Sequence, residues 1–179
     1  MFLDESGILM APLVRRSWAP AGQTPVLYQR GAHHRKVSVI AALCVSPQRD
    51  QLRFYFRLHP DTDISAAEVM AFLRALDDEL RDRWLLLWDR LNAHRARRTQ
   101  DFLQAHGWPA ACFFPSYAPE LNPVEYAWCW LKHNPLANLV RLDPDSLAAI
   151  TRQHARALQR KPLLLRSFLR HSPLFLRLR

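Results

Sequence analysis

The chain has 179 residues and is 49% hydrophobic with only four glycines, which fits one compact domain and excludes a disordered or fibrous protein. Its formal net charge is +9, and the excess lies at the C-terminal end, where residues 141–179 carry nine basic and two acidic side chains. An asymmetric basic surface is typical of a nucleic-acid partner, although a solvated arginine-rich helix gives the same count.

Cysteine usage and hydropathy exclude further classes. The three cysteines form no CxxC pair, which argues against a structural zinc site and favours a reduced, cytoplasmic setting. No segment approaches the roughly 20 consecutive apolar residues of a membrane span, so we expect no membrane partner. The acidic residues Asp4 and Glu5 near the N-terminus are not those of a signal peptide.

Three strands are predicted first. The segment MFLDESGILM (1–10) places Asp4 on one side of a strand and Glu5 on the other, because side chains alternate along a strand. KVSVIAALCV (36–45) is rich in β-branched residues, and QLRFYFRLH (51–59) alternates apolar and basic ones. Three successive strands of this kind predict an antiparallel meander.

The hydrophobic period then changes to that of a helix. Ser65 and Glu68 have the spacing of a capping box, and apolar residues recur at helical spacing until about Arg83. WLLLWD (84–89) is a short apolar run, which is typical of a strand buried on both faces. A helix followed by a buried strand is therefore predicted after the meander.

The rest of the chain continues the alternation. AHRARRTQDFLQAHG (93–107) predicts one helix that ends at Gly107, and ACFFP (111–115) predicts another buried strand. Helices are predicted from about Pro123 and about Asp145. The order β-β-β-α-β-α-β-α, followed by more helix, implies an α/β protein whose mixed sheet is flanked by helices. This element order is that of the ribonuclease H-like fold.

Three carboxylates stand where these elements end. Asp4 lies on the first strand, Asp89 closes the buried strand and Glu125 begins a helix. Open α/β sheets bind ligands beyond the carboxyl ends of their strands. If the two strands are neighbours, Asp4 and Asp89 repel each other unless a divalent cation neutralises them. Oxygen ligands without Cys or His clusters favour Mg²⁺ or Mn²⁺, in a two-metal site for displacement at a phosphodiester.

Each acid also has an ordinary structural explanation. Asn122 as N-cap, Pro123 at the first helical position and Glu125 at the third make a good helix start. Asp4 could cap a turn, and Asp89 could pair with a nearby arginine. Any one acid is more often structural than catalytic, and only the combination favours a metal site.

Three segments resemble the catalytic motifs of DDE transposases of the mariner superfamily, in the branch found in bacterial insertion sequences. They are FLDESG, LLLWDRLNAHRARR and FFPSYAPELNPVEYAWCWLK. The last contains Pro-x-Tyr-x-Pro-x-Leu-Asn-Pro-x-Glu, from Pro115 to Glu125. Asp89 is followed five residues later by His94, as in the family's middle motif, and SWAPAGQTP (17–25) is similar to its Trp-x-x-x-Gly segment.

The resemblance has direct implications for fold and activity. It covers residues 1–140 and implies a ribonuclease H-like catalytic domain there, with residues 141–179 as a basic helical extension. It also implies that Asp4, Asp89 and Glu125 are a catalytic triad that binds two Mg²⁺ ions, with Mn²⁺ as a substitute. The implied activity is cleavage of DNA at the ends of an insertion sequence and transfer of the 3′ hydroxyl into target DNA.

Further candidates are DNA contacts. His94 could contact a phosphate near the metals or be structural, and Lys132, on the same helix face as Glu125, could meet the scissile strand or be solvated. Arg90 stands where the family usually has Asn and adds a cation beside the metals. Trp128 is assigned to core packing. The remaining candidate phosphate contacts, which could equally face water, are Arg95, Arg97 and Arg98.

The resemblance also sets expectations about partners. Full-length relatives carry N-terminal helix-turn-helix modules that recognise transposon ends, whereas this chain begins three residues before Asp4. We therefore expect a split-frame product, a truncated remnant or an excised domain. Its partners would be transposon-end and target DNA, an upstream helix-turn-helix polypeptide, and a second copy in a homodimer on DNA. Two alternatives stay open: an inactive DNA-binding remnant that uses the basic tail, and a structure-selective nuclease on the same fold.

Overall fold

The computed structural model describes residues 1–11, 13–28, 35–81, 84–105, 111–141, 143–174, 176 and 178. These residues contain five strands in a single sheet: β1 (Phe2–Leu9), β2 (Lys36–Val45), β3 (Leu52–Pro60), β4 (Leu86–Trp88) and β5 (Ala111–Phe113). The strand order is β3-β2-β1-β4-β5. Strands β1, β2 and β3 pair antiparallel, whereas β4 runs parallel to β1 and β5 parallel to β4. The predicted meander and mixed sheet are confirmed.

Helices cover both faces of this sheet. In the described ranges they are α1 (Ala66–Leu80), α2 (Asn92–Arg95), α3 (Arg97–Ala105), α4 (Pro123–His133), α5 (Pro144–Gln159) and α6 (Pro162–His171). Apolar side chains of α1 and α3 pack on one face of the sheet, and those of α4, α5 and α6 pack on the other. The molecule therefore has three layers, with the element order predicted from the sequence.

Alternation along β1 sends its side chains into both layers. Phe2 and Ile8 belong to the core beneath α4, α5 and α6, whereas Leu3 belongs to the core beneath α1 and α3. By the same alternation Asp4 faces the α4 side and Glu5 faces the opposite side. This placement of Asp4 and Glu5 on opposite faces confirms the prediction and decides which partners each carboxylate meets.

The capping box predicted at the start of α1 is present. The Ser65 hydroxyl oxygen accepts a hydrogen bond from the backbone N–H of Ala67 (3.1 Å), and the Glu68 carboxylate accepts one from the backbone N–H of Ser65 (2.9 Å). At the other end, Arg81 adopts a left-handed conformation with φ of 49° and closes the helix. Side chains thus fix the start of α1, and the backbone conformation of Arg81 fixes its end.

Replacement of Ser65 by Ala is expected to lower the free energy of unfolding by about 1 kcal/mol, because an N–H group in the first turn of α1 loses its acceptor. Urea denaturation followed by circular dichroism measures this loss. Thr62→Ala is the matched control, since the Thr62 hydroxyl is exposed and donates only to the carbonyl of Pro60 outside the helix. Equal losses in both variants would contradict a capping role.

The single helix predicted after β4 is broken in two. Ala96 separates α2 from α3 with φ of −55° and ψ of 134°, an extended conformation. The Thr99 hydroxyl donates to the carbonyl of Ala93 (2.7 Å), and the Gln100 side-chain amide donates to the carbonyl of His94 (2.6 Å). In a continuous helix, backbone N–H groups would donate to these two carbonyls. The side chains of Thr99 and Gln100 replace those donors, so the break leaves both carbonyls paired.

Some predicted boundaries are not decided by the structure. The end predicted near Arg83 is observed slightly earlier, at Leu80, whereas Gly107, the predicted end of the next helix, lies outside the described residues. The division between residues 1–140 and 141–179 stays a prediction, and the helices after it, α5 and α6, contribute to the same core as β1 and α4. None of the helices in the described ranges is long and apolar enough to cross a lipid bilayer.

Candidate active site

The parallel pairing of β1 and β4 brings two of the predicted carboxylates to the same level of the sheet. Phe2 pairs with Leu87, and continuing this register by two residues places Asp4 beside Asp89. Both acids therefore lie towards the carboxyl end of β4, where ligands bind in open sheets. The neighbourhood expected for Asp4 and Asp89 is confirmed.

One side chain fixes the start of α4 against this edge. The Asn122 side-chain oxygen accepts a hydrogen bond from the N–H of Val124 (3.2 Å), and its amide nitrogen donates to the carbonyl of Leu3 (3.0 Å). Asn122 is buried, and Leu3 directly precedes Asp4 in β1. The predicted N-cap therefore also anchors the helix turn that carries Glu125 to the strand that carries Asp4.

The three carboxylates line one cleft with a volume of about 380 Å³. Asp89 and Glu125 are exposed, whereas Asp4 is only 6% exposed. The cleft is also lined by Arg90, whose guanidinium lies 5.4 Å from the centre of the Phe113 ring, and by the loop 114–119. The structure thus brings together the three acids that are far apart in the sequence.

Asp4 is held in an unfavourable environment for a negative charge. Burial is the main cause that raises the pKa of Asp4 to about 8, and the nearby charges of Glu125 and Glu5 add to it. A hydrogen bond from the Trp128 indole nitrogen to Asp4 Oδ2 (2.8 Å) acts in the opposite direction. Without a cation, Asp4 therefore keeps its proton at neutral pH.

The hydrogen bond from Trp128 corrects the sequence analysis, which assigned this residue to core packing alone. The ring is 2% exposed and does pack edge-on against Phe54, with ring centres 6.4 Å apart. Its N–H nevertheless points at Asp4 Oδ2. A buried tryptophan needs an acceptor for its N–H. Trp128 lies three residues after Glu125 and therefore on a neighbouring position of the same helix face. Together these two facts could have indicated a hydrogen bond from Trp128 to a carboxylate of the site.

His94 lies behind Asp89 and is completely buried. Its Nδ1 is 2.8 Å from Asp89 Oδ1, its Nε2 is 2.9 Å from Glu5 Oε1, and its ring stacks on Trp88 with centres 4.2 Å apart. Burial lowers the pKa of His94, but the hydrogen bonds to the two carboxylates outweigh it and raise the pKa to about 9. Both ring nitrogens therefore carry protons and donate.

Of the two roles expected for His94, the geometry favours the structural one, because its side chain has no exposed surface and both nitrogens are already bonded. Glu5, its second partner, was not predicted as part of the site. The alternation of β1 placed Glu5 opposite Asp4, but nothing local indicated that a histidine 89 residues away would meet it. Among the described residues, Glu5, Asp89 and His94 offer potential ligand atoms within 4.8 Å of one another, but both His94 nitrogens donate to the two carboxylates, which leaves neither nitrogen available to a metal ion.

Asp89 and Glu125 have different electrostatic surroundings. Partial burial acts to raise the pKa of Asp89, but hydrogen bonds from His94 and from the N–H of Leu91 (2.9 Å) outweigh it and lower the pKa. Partial burial raises the pKa of Glu125, with Lys132 opposing and Asp89 adding to the shift. Asp89 is thus the acid most readily ionised, and Glu125 carries a partly desolvated charge.

The remaining predicted DNA contacts stay predictions. Lys132 is half-buried and donates from Nζ to the Ser6 hydroxyl (2.7 Å), which positions its charge near Glu125. Arg97 lies 3.7 Å from Asp101 in an ion pair that is mostly exposed and therefore weak. Arg95 on α2 and Arg97 and Arg98 on α3, the helices that follow Asp89, have exposed side chains.

Comparison with known proteins gives one family and a set of similar folds. A family model described as "DDE superfamily endonuclease" matches residues 1–143. No curated protein matches the chain significantly. The mariner Mos1 paired-end complex with Mg is similar with a TM-score of 0.66 at 20% identity, over 94% of this chain and 52% of that one. The Mos1 mariner paired-end complex with Mn is similar with a TM-score of 0.59 at 19% identity, over 98% of this chain and 56% of that one.

The catalytic domain of Mos1 mariner transposase gives a TM-score of 0.54 at 16% identity, over 98% of this chain and 82% of that domain. At these identities the likeness is one of fold, and it confirms the predicted ribonuclease H-like fold. This chain spans about half the length of the transposase chains in the paired-end complexes.

Proposed function

Because the chain belongs to the DDE superfamily endonuclease family, we propose that it is the catalytic domain of a mariner-type transposase, in the branch found in bacterial insertion sequences. It cuts DNA at the ends of the element and transfers the freed 3′ hydroxyl into target DNA. The convergence of Asp4, Asp89 and Glu125 on one cleft carries this proposal. The paired-end complexes of Mos1, which have the same fold, support it.

The carboxylates suit a hard divalent cation. Within the described part of the chain, hydrogen bonds reach only Oδ2 of Asp4 and only Oδ1 of Asp89, so each keeps one oxygen without a protein donor. Asp4 is a buried acid whose proton a cation can replace. We assign Asp4, Asp89 and Glu125 as ligands of two Mg²⁺ ions, with Mn²⁺ as a substitute. Mos1 complexes with Mg and with Mn support this choice.

The protein's own groups act by positioning. Trp128 fixes one oxygen of Asp4, His94 and the N–H of Leu91 fix one oxygen of Asp89, and Asn122 holds the turn that presents Glu125. When bound, Mg²⁺ supplies activation of the attacking water or hydroxyl and stabilisation of the leaving oxygen. Catalytic groups held in this way need little rearrangement during reaction.

The proposed partners are those that the family resemblance implies. We propose that a helix-turn-helix polypeptide recognises the transposon ends and that the assembly on DNA is a homodimer, and the Mos1 paired-end complexes, one of them with the left transposon end, support a DNA partner. The net charge of +9 suits a DNA partner. The cysteines, of which Cys112 and Cys129 are exposed, suit the reducing cytoplasm.

The direct test uses the purified chain together with the helix-turn-helix polypeptide and DNA that carries the element's inverted repeats. We expect nicking at the ends and strand-transfer products in Mg²⁺ or Mn²⁺, and neither product in EDTA. Preferential cleavage of branched DNA would instead indicate a structure-selective nuclease. Salt-sensitive, metal-independent binding without any cleavage product would indicate an inactive DNA-binding remnant.

Replacement of Arg95, Arg97 and Arg98 together by Ala is expected to weaken DNA binding at least about 10-fold and to reduce the salt slope by about 2 to 3, because three candidate phosphate contacts are lost. Fluorescence anisotropy at several salt concentrations measures both quantities.

A matched control removes the same charge from α5 and its C-cap, where Arg152, Arg156 and Arg160 are exposed. This control is expected to bind DNA more tightly than the first variant. The reverse order would place the DNA on the basic C-terminal helices and would favour the binding remnant.

A further inference from the structure

His94 connects the two neighbouring strands of the proposed metal site. Glu5 lies on β1 next to Asp4, and Asp89 directly follows β4. His94 donates from Nδ1 to Asp89 Oδ1 (2.8 Å) and from Nε2 to Glu5 Oε1 (2.9 Å). These three residues are called here the Glu5–His94–Asp89 bridge. They join the middle of β1 to the carboxyl end of β4 through side chains.

Several contacts prevent the His94 ring from turning. The ring stacks on Trp88 at an interplanar angle of 19°, and the side chain is fully buried. The backbone carbonyl of His94 accepts a hydrogen bond from the side-chain amide of Gln100, and α2 ends one residue after His94, at the break at Ala96. A ring clamped on its face and at both nitrogens can hold a carboxylate in one orientation.

The orientation of Asp89 follows from this clamp. Its Oδ1 accepts from both His94 and the N–H of Leu91, while among the described residues Oδ2 has no hydrogen-bond donor. Partners of this kind, which orient metal-binding side chains, typically change metal affinity or activity 10- to 100-fold when they are removed. Glu5 completes the arrangement, because its side chain is only 10% exposed and anchors the histidine to β1.

We propose that His94 and Glu5 are positioning residues of the metal centre: the bridge holds Asp89 with Oδ2 free for the ion and ties Asp89 to the strand of Asp4. This inference depends on the proposed role of Asp89 as a metal ligand. Neither His94 nor Glu5 contacts the ion. The bridge also explains why the helix after β4 is interrupted, since a break at Ala96 leaves His94 pointing at both carboxylates.

The test compares Mn²⁺ binding, measured from the electron paramagnetic resonance signal of free Mn²⁺, in four proteins. His94→Phe keeps the stacking on Trp88 but removes both donors, and Glu5→Met removes the anchor while keeping the length of the side chain. We expect each to bind Mn²⁺ about 10- to 100-fold more weakly. The double variant is expected to be no weaker than His94→Phe, because the residues act as one unit. Wild-type affinity in either single variant overturns the inference.

Two controls separate this outcome from other failures. Glu120→Met removes an equal charge from an exposed side chain near the cleft and is expected to bind Mn²⁺ like the wild type. If the wild type does not bind Mn²⁺, or if Asp89→Asn binds it equally well, the proposed function fails. If both of these results are as expected but His94→Phe and Glu5→Met bind normally, only the bridge is overturned.

A second measurement does not depend on the folding of any variant. In a long-range proton–nitrogen NMR spectrum of the wild-type chain, with the His94 ring assigned through its backbone connectivity, both ring nitrogens are expected to be protonated. They are expected to remain so when Mg²⁺ is added. Loss of a ring proton on addition of Mg²⁺ would make His94 a ligand and would overturn the positioning role.

Discussion

Asp89→Asn is expected to reduce metal-dependent DNA cleavage by at least about 10³-fold. A bound metal contributes several kcal/mol of transition-state stabilisation, and each 1.4 kcal/mol, approximately, is a factor of ten in rate. The Asn side chain keeps the size of Asp and can still accept from the N–H of Leu91, but it lacks the charge that holds a cation. The loss should therefore appear in catalysis rather than in folding.

The cleavage assay on transposon-end DNA measures this loss, and thermal unfolding in EDTA checks the fold. We expect only a modest fall in melting temperature, because Asn keeps an oxygen for the N–H of Leu91 and for His94 but loses the charge beside that buried ring. Glu120→Gln is a suitable control, since Glu120 is exposed in the same region but does not line the cleft. Cleavage by Asp89→Asn at the wild-type rate would remove the proposed mechanism altogether.

The metal-free protein is expected to become less stable as the pH rises from about 4 to about 8. The pKa of Asp4 is raised from 3.8 to about 8, so in this window the folded chain holds a proton that the unfolded chain has released. Stability falls with pH wherever the folded state binds more protons, by up to about 1.4 kcal/mol per pH unit. His94, raised from 6.5 to about 9, acts in the same direction between those two values.

Asp4→Asn isolates the contribution of Asp4. The variant carries no titrating carboxyl at this position, so in EDTA at pH 8 it should be more stable than the wild type by a few kcal/mol. Its side-chain oxygen can still accept from Trp128. Urea denaturation between pH 5 and 9 measures the difference. We further expect Mg²⁺ to stabilise the wild type at pH 8 and to have little effect on Asp4→Asn, which should be inactive.

A wild-type stability that is flat or rising between pH 5 and 8 would contradict the raised pKa of Asp4. The expected pattern also has a functional meaning, since the ionised form of Asp4 is destabilising in the empty site and becomes compatible with burial only in the presence of a cation. Such a stored electrostatic cost is common where catalytic groups cluster. The two predictions together therefore connect the metal-binding role of the acids to a property of the folded chain that does not require DNA.

Much of this molecule is determined locally by its sequence. The strand predicted over residues 36–45 matches β2, because a β-branched apolar run allows little other than a buried strand. The capping box of Ser65 and the N-cap of Asn122 are as predicted, since the interacting groups lie within three residues of each other. The three carboxylates were also recognised from the sequence, because each lies at a predicted element end in a motif that resembles a known family.

Only the tertiary structure decided how those carboxylates are held. Trp128 meets Asp4 across 124 residues of chain, and His94 meets Glu5 across 89. Hydrophobic period and capping signals report on neighbours within a turn or a strand, so they contain no information about such pairs. The break at Ala96 escaped prediction for the same reason: the local pattern favours one continuous helix, and the buried bonds of His94 that accompany the break form only when β1 lies beside β4.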